Sequence, residues 1–85
     1  MNPKVIEARA IEAHKLFLIF NNQEQRIFDV TPFLDKGVFR ELKDENYFQR
    51  VRVVNGSVQW PHEQDLSYDT LFLLSKPFNA AATAS

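Results

Sequence analysis

A chain of 85 residues with 45% hydrophobic and 13% aromatic side chains, including eight Phe, holds apolar material for one compact interior and is too short to divide it between two. The lack of cysteine excludes disulfides, thiolate metal sites and thiol nucleophiles, and ten basic against eleven acidic residues exclude the concentrated positive field of a dedicated nucleic-acid binder. No signal-like apolar region follows Met1-Asn2-Pro3-Lys4, and the longest apolar run, Leu16 to Phe20, falls far short of the ~20 residues that cross a bilayer, so a soluble, cytoplasmic protein is expected.

Val5 to Ala10 places Ile6, Ala8 and Ala10 on one parity and Glu7 and Arg9 on the other, which suits a half-buried strand. Leu16 to Phe20 is apolar on both parities, as in a central strand covered on both faces. Asn21-Asn22-Gln23-Glu24 makes a reversal, with asparagine tolerating the left-handed conformation, and a strand over Arg26 to Val30 completes a hairpin. Thr31 before Pro32 starts a helical turn to Asp35, with the threonine oxygen as cap. Gly37 interrupts it, and Val38 to Lys43 forms a second short helix. Phe33, Leu34, Phe39 and Leu42 supply the inward face.

Asn55-Gly56 between Gln49 to Val54 and Ser57 to Trp60 predicts a two-residue hairpin of type I′. Alternation puts Val51 and Val53 opposite Arg50 and Arg52, and gives Trp60 the parity of Val58. Pro61 ends the strand. Ser67 caps a last short helix through Asp69, Thr70, Leu71 and Phe72. The expected fold is α+β: a small curved antiparallel sheet of about five strands, with short helices between strands three and four and near the C-terminus. Residues 1–76 form the single domain, and 77–85 a disordered tail.

Three segments, Leu16-x-Leu18-x-Phe20 with Arg26-x-Phe28-Asp29-Val30, Gly37-Val38-Phe39-x-x-Leu42-Lys43-Asp44 to Phe48, and Val58-x-Trp60-Pro61-x-x-x-Asp65-Leu66-Ser67-x-Asp69-Thr70-Leu71, carry a resemblance. Together they make the chain similar to the bacterial family catalogued as domain of unknown function 2442, over roughly residues 4 to 73. The resemblance implies a compact α+β fold with a curved antiparallel sheet, in the stand-alone form without an added helix-turn-helix domain. It further implies a small partner protein encoded alongside, in a toxin–antitoxin-like pair. Two departures stand out: Asn22-Gln23 replaces an aspartate-glycine turn, and His62-Glu63 replaces an asparagine-glycine. Both loops are expected to differ in shape.

Candidate chemistry is sparse. His62, Glu63, Asp65 and Asp69 are close in sequence but match no ligand signature, which favours a solvated loop with a capping aspartate. Asp29 is placed to accept backbone amides at a helix start, and His14 reads as a surface turn residue. Ser57, Ser67 and Ser75 lie in no nucleophile elbow, and Gly37 and Gly56 alone cannot build a phosphate-cradling loop. Lys36, Arg40, Lys43, Arg50 and Arg52 offer a modest basic patch, offset by Glu41, Asp44 and Glu45. Trp60 with Phe48 is either a core pair or an exposed platform, its parity favouring the core.

The expectation is a non-catalytic protein-interaction module without cofactor or metal, binding a protein partner or a second copy of itself. The candidate surface is Trp60, Pro61, His62 and Asp65 with Arg50 and Arg52. The alternatives are a nucleic-acid-associated regulator acting with a partner and a minor enzyme using the His62 to Asp69 loop.

Overall fold

The computed structural model describes residues 2–78. Among these residues seven strands and two α-helices follow the order β1 (Val5–Ile11), β2 (Lys15–Phe20), β3 (Gln25–Asp29), α1 (Glu45–Phe48), β4 (Arg52–Val54), β5 (Ser57–Gln59), β6 (Asp65–Leu66), α2 (Tyr68–Leu74) and β7 (Lys76–Pro77). Two 3-10 segments, Thr31–Phe33 and Gly37–Lys43, separate β3 from α1. The α+β class, antiparallel pairing and short helices match the expectation. The strands, however, divide into a four-stranded sheet ordered β1-β2-β3-β7 and a three-stranded sheet ordered β4-β5-β6. Pairs of residues as short as Asp65–Leu66 and Lys76–Pro77 carry no periodic signal, so β6 and β7 escape a sequence reading. Among the described residues no helix is long and apolar enough to cross a membrane.

One core joins the two sheets. Leu16, Leu18 and Phe20 of β2 point into it, with Phe28, Val58, Trp60, Leu66, Leu71 and Leu42 supplied from the other elements. The middle strand of a twisted sheet buries one parity completely, whereas Phe17 and Ile19 on the other remain half-exposed. β2 is therefore central, as expected, but only one of its faces is fully covered. In β1 the register shifts between Val5 and Glu7, and this bulge leaves Ile6 59% exposed.

The loops correct several local expectations. Thr31 is not the cap: it opens the 3-10 segment, the cap position falls to Val30 without a side-chain bond, and Asp29 Oδ1 accepts the Thr31 N–H at 2.9 Å. Asp44 accepts the N–H groups of Asn46 and Tyr47 and so starts α1, a helix in the stretch between Lys43 and Gln49 for which the sequence reading names no element. The strand expected from Gln49 shrinks to Arg52–Val54, leaving Arg50 in the turn after α1. Ser67 caps α2 as read, through the Thr70 N–H. His14 occupies a turn with φ near +56°, yet its ring lies 5.0 Å from that of Phe48, and Nε2 stands 3.2 Å from the Lys43 carbonyl. It is a packed joint between β2 and α1 and not a free surface residue.

Two reversals share one shape. Phe20 N–H donates to the Glu24 carbonyl and Gln23 N–H to the Phe20 carbonyl; Trp60 N–H donates to the Gln64 carbonyl and Glu63 N–H to the Trp60 carbonyl. In each, the fourth residue is left-handed, Gln23 and Glu63 both with φ of 72°. Such a three-residue loop needs one left-handed residue wherever it occurs, and here a non-glycine takes it. The two departures from the resembled family's glycines thus leave a backbone suited to glycine, and the asparagines expected to go left-handed in the first loop do not.

The Asn55-Gly56 hairpin forms as expected, with φ of 52° and 82° and Val54 opposite Ser57. The Gly56 carbonyl accepts the Val5 N–H at 2.8 Å, and a Cβ on Gly56 would lie 2.8 Å from the Lys4 Cβ. Gly56→Ala is expected to destabilise the fold by about 2 kcal/mol, combining left-handed strain with displacement of Lys4 from the sheet junction. Urea denaturation measures this. A loss below about 0.5 kcal/mol would show that the hairpin is not anchored on β1.

Pro77 and Phe78, assigned to the tail by the sequence, belong to the sheet: Pro77 lies opposite Arg26, and Phe78 N–H donates to the Gln25 carbonyl at 2.8 Å. The rest of the expected tail, 79–85, lies outside the described residues.

Candidate functional site

The residues singled out around the Trp60 loop do not form one surface. Trp60 is wholly buried, its ring stacked on Phe48 at 5.8 Å and its Nε1–H donated to the Phe48 carbonyl at 2.8 Å. This removes it from any exposed platform. Arg52 and Asp65 flank Gln59 across β4-β5-β6, on the outer face of the small sheet, because Val53, Val58 and Leu66 take the inner parity. Arg50 is exposed on the preceding turn, and Pro61 is half-buried at the loop start.

His62 takes part in a closed ring of hydrogen bonds. Its Nδ1 stands 2.7 Å from Glu41 Oε2, its ring stacks on Tyr47 at 5.2 Å, and its N–H donates to the Tyr47 hydroxyl at 2.8 Å. That hydroxyl donates to Gln64 Oε1 at 2.6 Å, and Gln64 Nε2 donates to Glu41 Oε1 and the Val38 carbonyl. Hydrogen bonds from His62 and Gln64 together hold the Glu41 carboxyl below its ordinary range. Gln64 is only 3% exposed, and every buried side-chain polar atom among the described residues has a partner. The ring binds the loop after Trp60 to the second 3-10 segment and α1. Neither Glu63, Asp65 nor Asp69 joins it, and among the described residues no metal-holding group of His, Asp or Glu is assembled. Tyr47 and Gln64 were not singled out from the sequence, and Glu41 only as an acid offsetting the basic patch, since the three lie up to 23 residues apart and share no periodicity.

The outer face of the four-stranded sheet is the other distinctive region. Strand register places Arg9, Phe17, Ile27 and Lys76 in one row, Glu7, Ile19 and Gln25 in a second, and Ile11, Lys15 and Asp29 in a third. Phe78 packs edge-on against Phe17 at 5.4 Å. Phe17, Ile19 and Ile27 are half-exposed, Ile11 and Phe78 are 39% and 38% exposed, and Leu74 at the end of α2 is 62% exposed. At this end Lys15, Ile27, Asp29, Leu74 and Lys76 line a cleft of about 200 Å³. Partial burial raises the Asp29 carboxyl, but hydrogen bonds from Thr31 and the charges of Lys15 and Lys76 together bring it below its ordinary value. The signal for this face is present in the sequence: Phe17 and Ile19 share a parity, and Ile27 falls opposite Phe17 once the Phe20–Glu24 reversal fixes the register.

A family model described as "Protein of unknown function (DUF2442)" matches residues 5–77. No curated protein and no solved structure matches the chain.

Proposed function

This chain belongs to the DUF2442 family, and from that premise we propose that it is a non-catalytic protein-interaction module that receives a partner on the outer face of its four-stranded sheet. The observation that carries this reading is the contiguous, partly exposed apolar array of Ile11, Phe17, Ile19, Ile27, Leu74 and Phe78. Open antiparallel sheets ordinarily place polar side chains on their solvent face, so an apolar array there fits a surface that a second molecule covers. The Glu41–His62 pair fits the same reading, because the hydrogen bonds it makes fasten a loop. In the antitoxin-like arrangement that the resemblance implies, the partner is the product of the adjoining gene.

Phe17→Glu tests the proposal. Affinity capture of the tagged wild-type chain from the cells that encode it is expected to retain a specific companion. The variant should lose it by roughly thirtyfold or more in affinity, as when a charge is buried unpaired at an interface centre. Circular dichroism of the variant should remain that of the wild type, since Phe17 lies outside the core cluster. Equal retention by wild type and variant would end this reading.

A further inference from the structure

Resting on that reading, we infer that the cleft at the β2-β3-β7 end of this face receives a single carboxylate of the protein partner, an aspartate or glutamate flanked by apolar side chains that cover Phe17 and Ile27. The cleft is lined by two aliphatic side chains, Ile27 and Leu74, and by two cationic ones, Lys15 and Lys76. Among the described residues neither lysine has an ion-pair partner. The one carboxylate present, Asp29, is directed to the Thr31 N–H at 2.9 Å, so its hydrogen-bonding capacity is partly committed to the backbone. Two cations against one anion leave the cleft with one excess positive charge, which a monoanionic carboxylate matches and a doubly charged phosphate would exceed. A second copy of this chain fits less well. When the contact is centred on Phe17 and Ile27, a two-fold axis along their row sets Arg9 and Lys76 each against itself, and one across its middle sets Arg9 against Lys76, so like charges meet in both.

The experiment selects a phage-displayed peptide library against the full chain and measures synthetic copies of the recovered peptides on wild type, Phe17→Glu and Lys15→Gln/Lys76→Gln. The expected result is a set of peptides sharing one Asp or Glu among apolar residues, weakened about tenfold by the double lysine change, by amidation of that carboxylate, or by high salt. Circular dichroism confirms that the lysine variant folds. Peptides that respond to Phe17→Glu but carry no acidic residue, or are indifferent to the lysine change, overturn the carboxylate inference and leave the docking face standing. Peptides indifferent to Phe17→Glu, or none recovered, overturn both. Self-association in sedimentation that Phe17→Glu abolishes would replace the acidic partner with a second copy.

Discussion

Trp60→Ala is expected to cost about 3–5 kcal/mol, the range for deleting a large aromatic from a well-packed core. In a domain of this size the total stability is on the order of 5–10 kcal/mol, so the variant should be unfolded in a large fraction of molecules or melt far below the wild type. Three contributions add: the lost burial of a fully enclosed indole, its stacking on Phe48, and the Phe48 carbonyl left without its Nε1–H donor. Trp60→Phe is a milder change, because it keeps an aromatic against Phe48 while removing the hydrogen bond and part of the buried volume. It should cost about 1–2 kcal/mol. Urea denaturation followed by far-ultraviolet circular dichroism is the appropriate measurement, since tryptophan fluorescence disappears with the single tryptophan. A Trp60→Ala protein that unfolds at nearly the wild-type urea concentration would return Trp60 to the surface and remove the keystone between α1 and β5.

Tyr47→Phe is expected to cost about 2–3 kcal/mol despite changing one oxygen. The hydroxyl joins a buried partner and a partly buried one, accepting from the His62 N–H and donating to Gln64 Oε1, and its loss removes both bonds and strands the enclosed Gln64. The ring geometry of Phe matches that of Tyr, so packing against His62 survives and the measured loss belongs to the hydrogen bonds. Amide exchange adds a local readout. The N–H groups of His62 and Glu63 should exchange faster in the variant, while those of β2 keep the protection of the global fold. If the loop amides are as protected as before and stability is unchanged, the hydrogen-bonded ring is not what holds the Trp60–Gln64 reversal.

These two residues mark the division between what was legible in the sequence and what was not. The Asn55-Gly56 hairpin, the central place of β2, the Asp29 contact at a helix start and the Ser67 cap were readable because each depends on neighbours in the chain: a turn's φ requirement, an apolar run, a side chain bonding a nearby amide. Trp60 sat at the edge of legibility. Its parity with Val58 pointed inward, but only the presence of Phe48 behind it shows that the indole is enclosed.

Gln64 was beyond reach, because a glutamine is buried only where tertiary structure gathers donors and acceptors around it, here Tyr47, Val38 and Glu41 from two other elements. The open apolar face of the four-stranded sheet was missed for a related reason. The run Leu16 to Phe20 looks the same whether one or both faces are covered, and coverage depends on where distant elements pack. The sequence by itself therefore determined the class of fold, its turns and caps, and the amount of apolar material to be enclosed, all of which are set by local sterics and composition. Only the tertiary structure decided which apolar side chains are enclosed, which stay on an open sheet, and which polar groups close a ring, since burial and long-range hydrogen bonding depend on the arrangement of the whole chain.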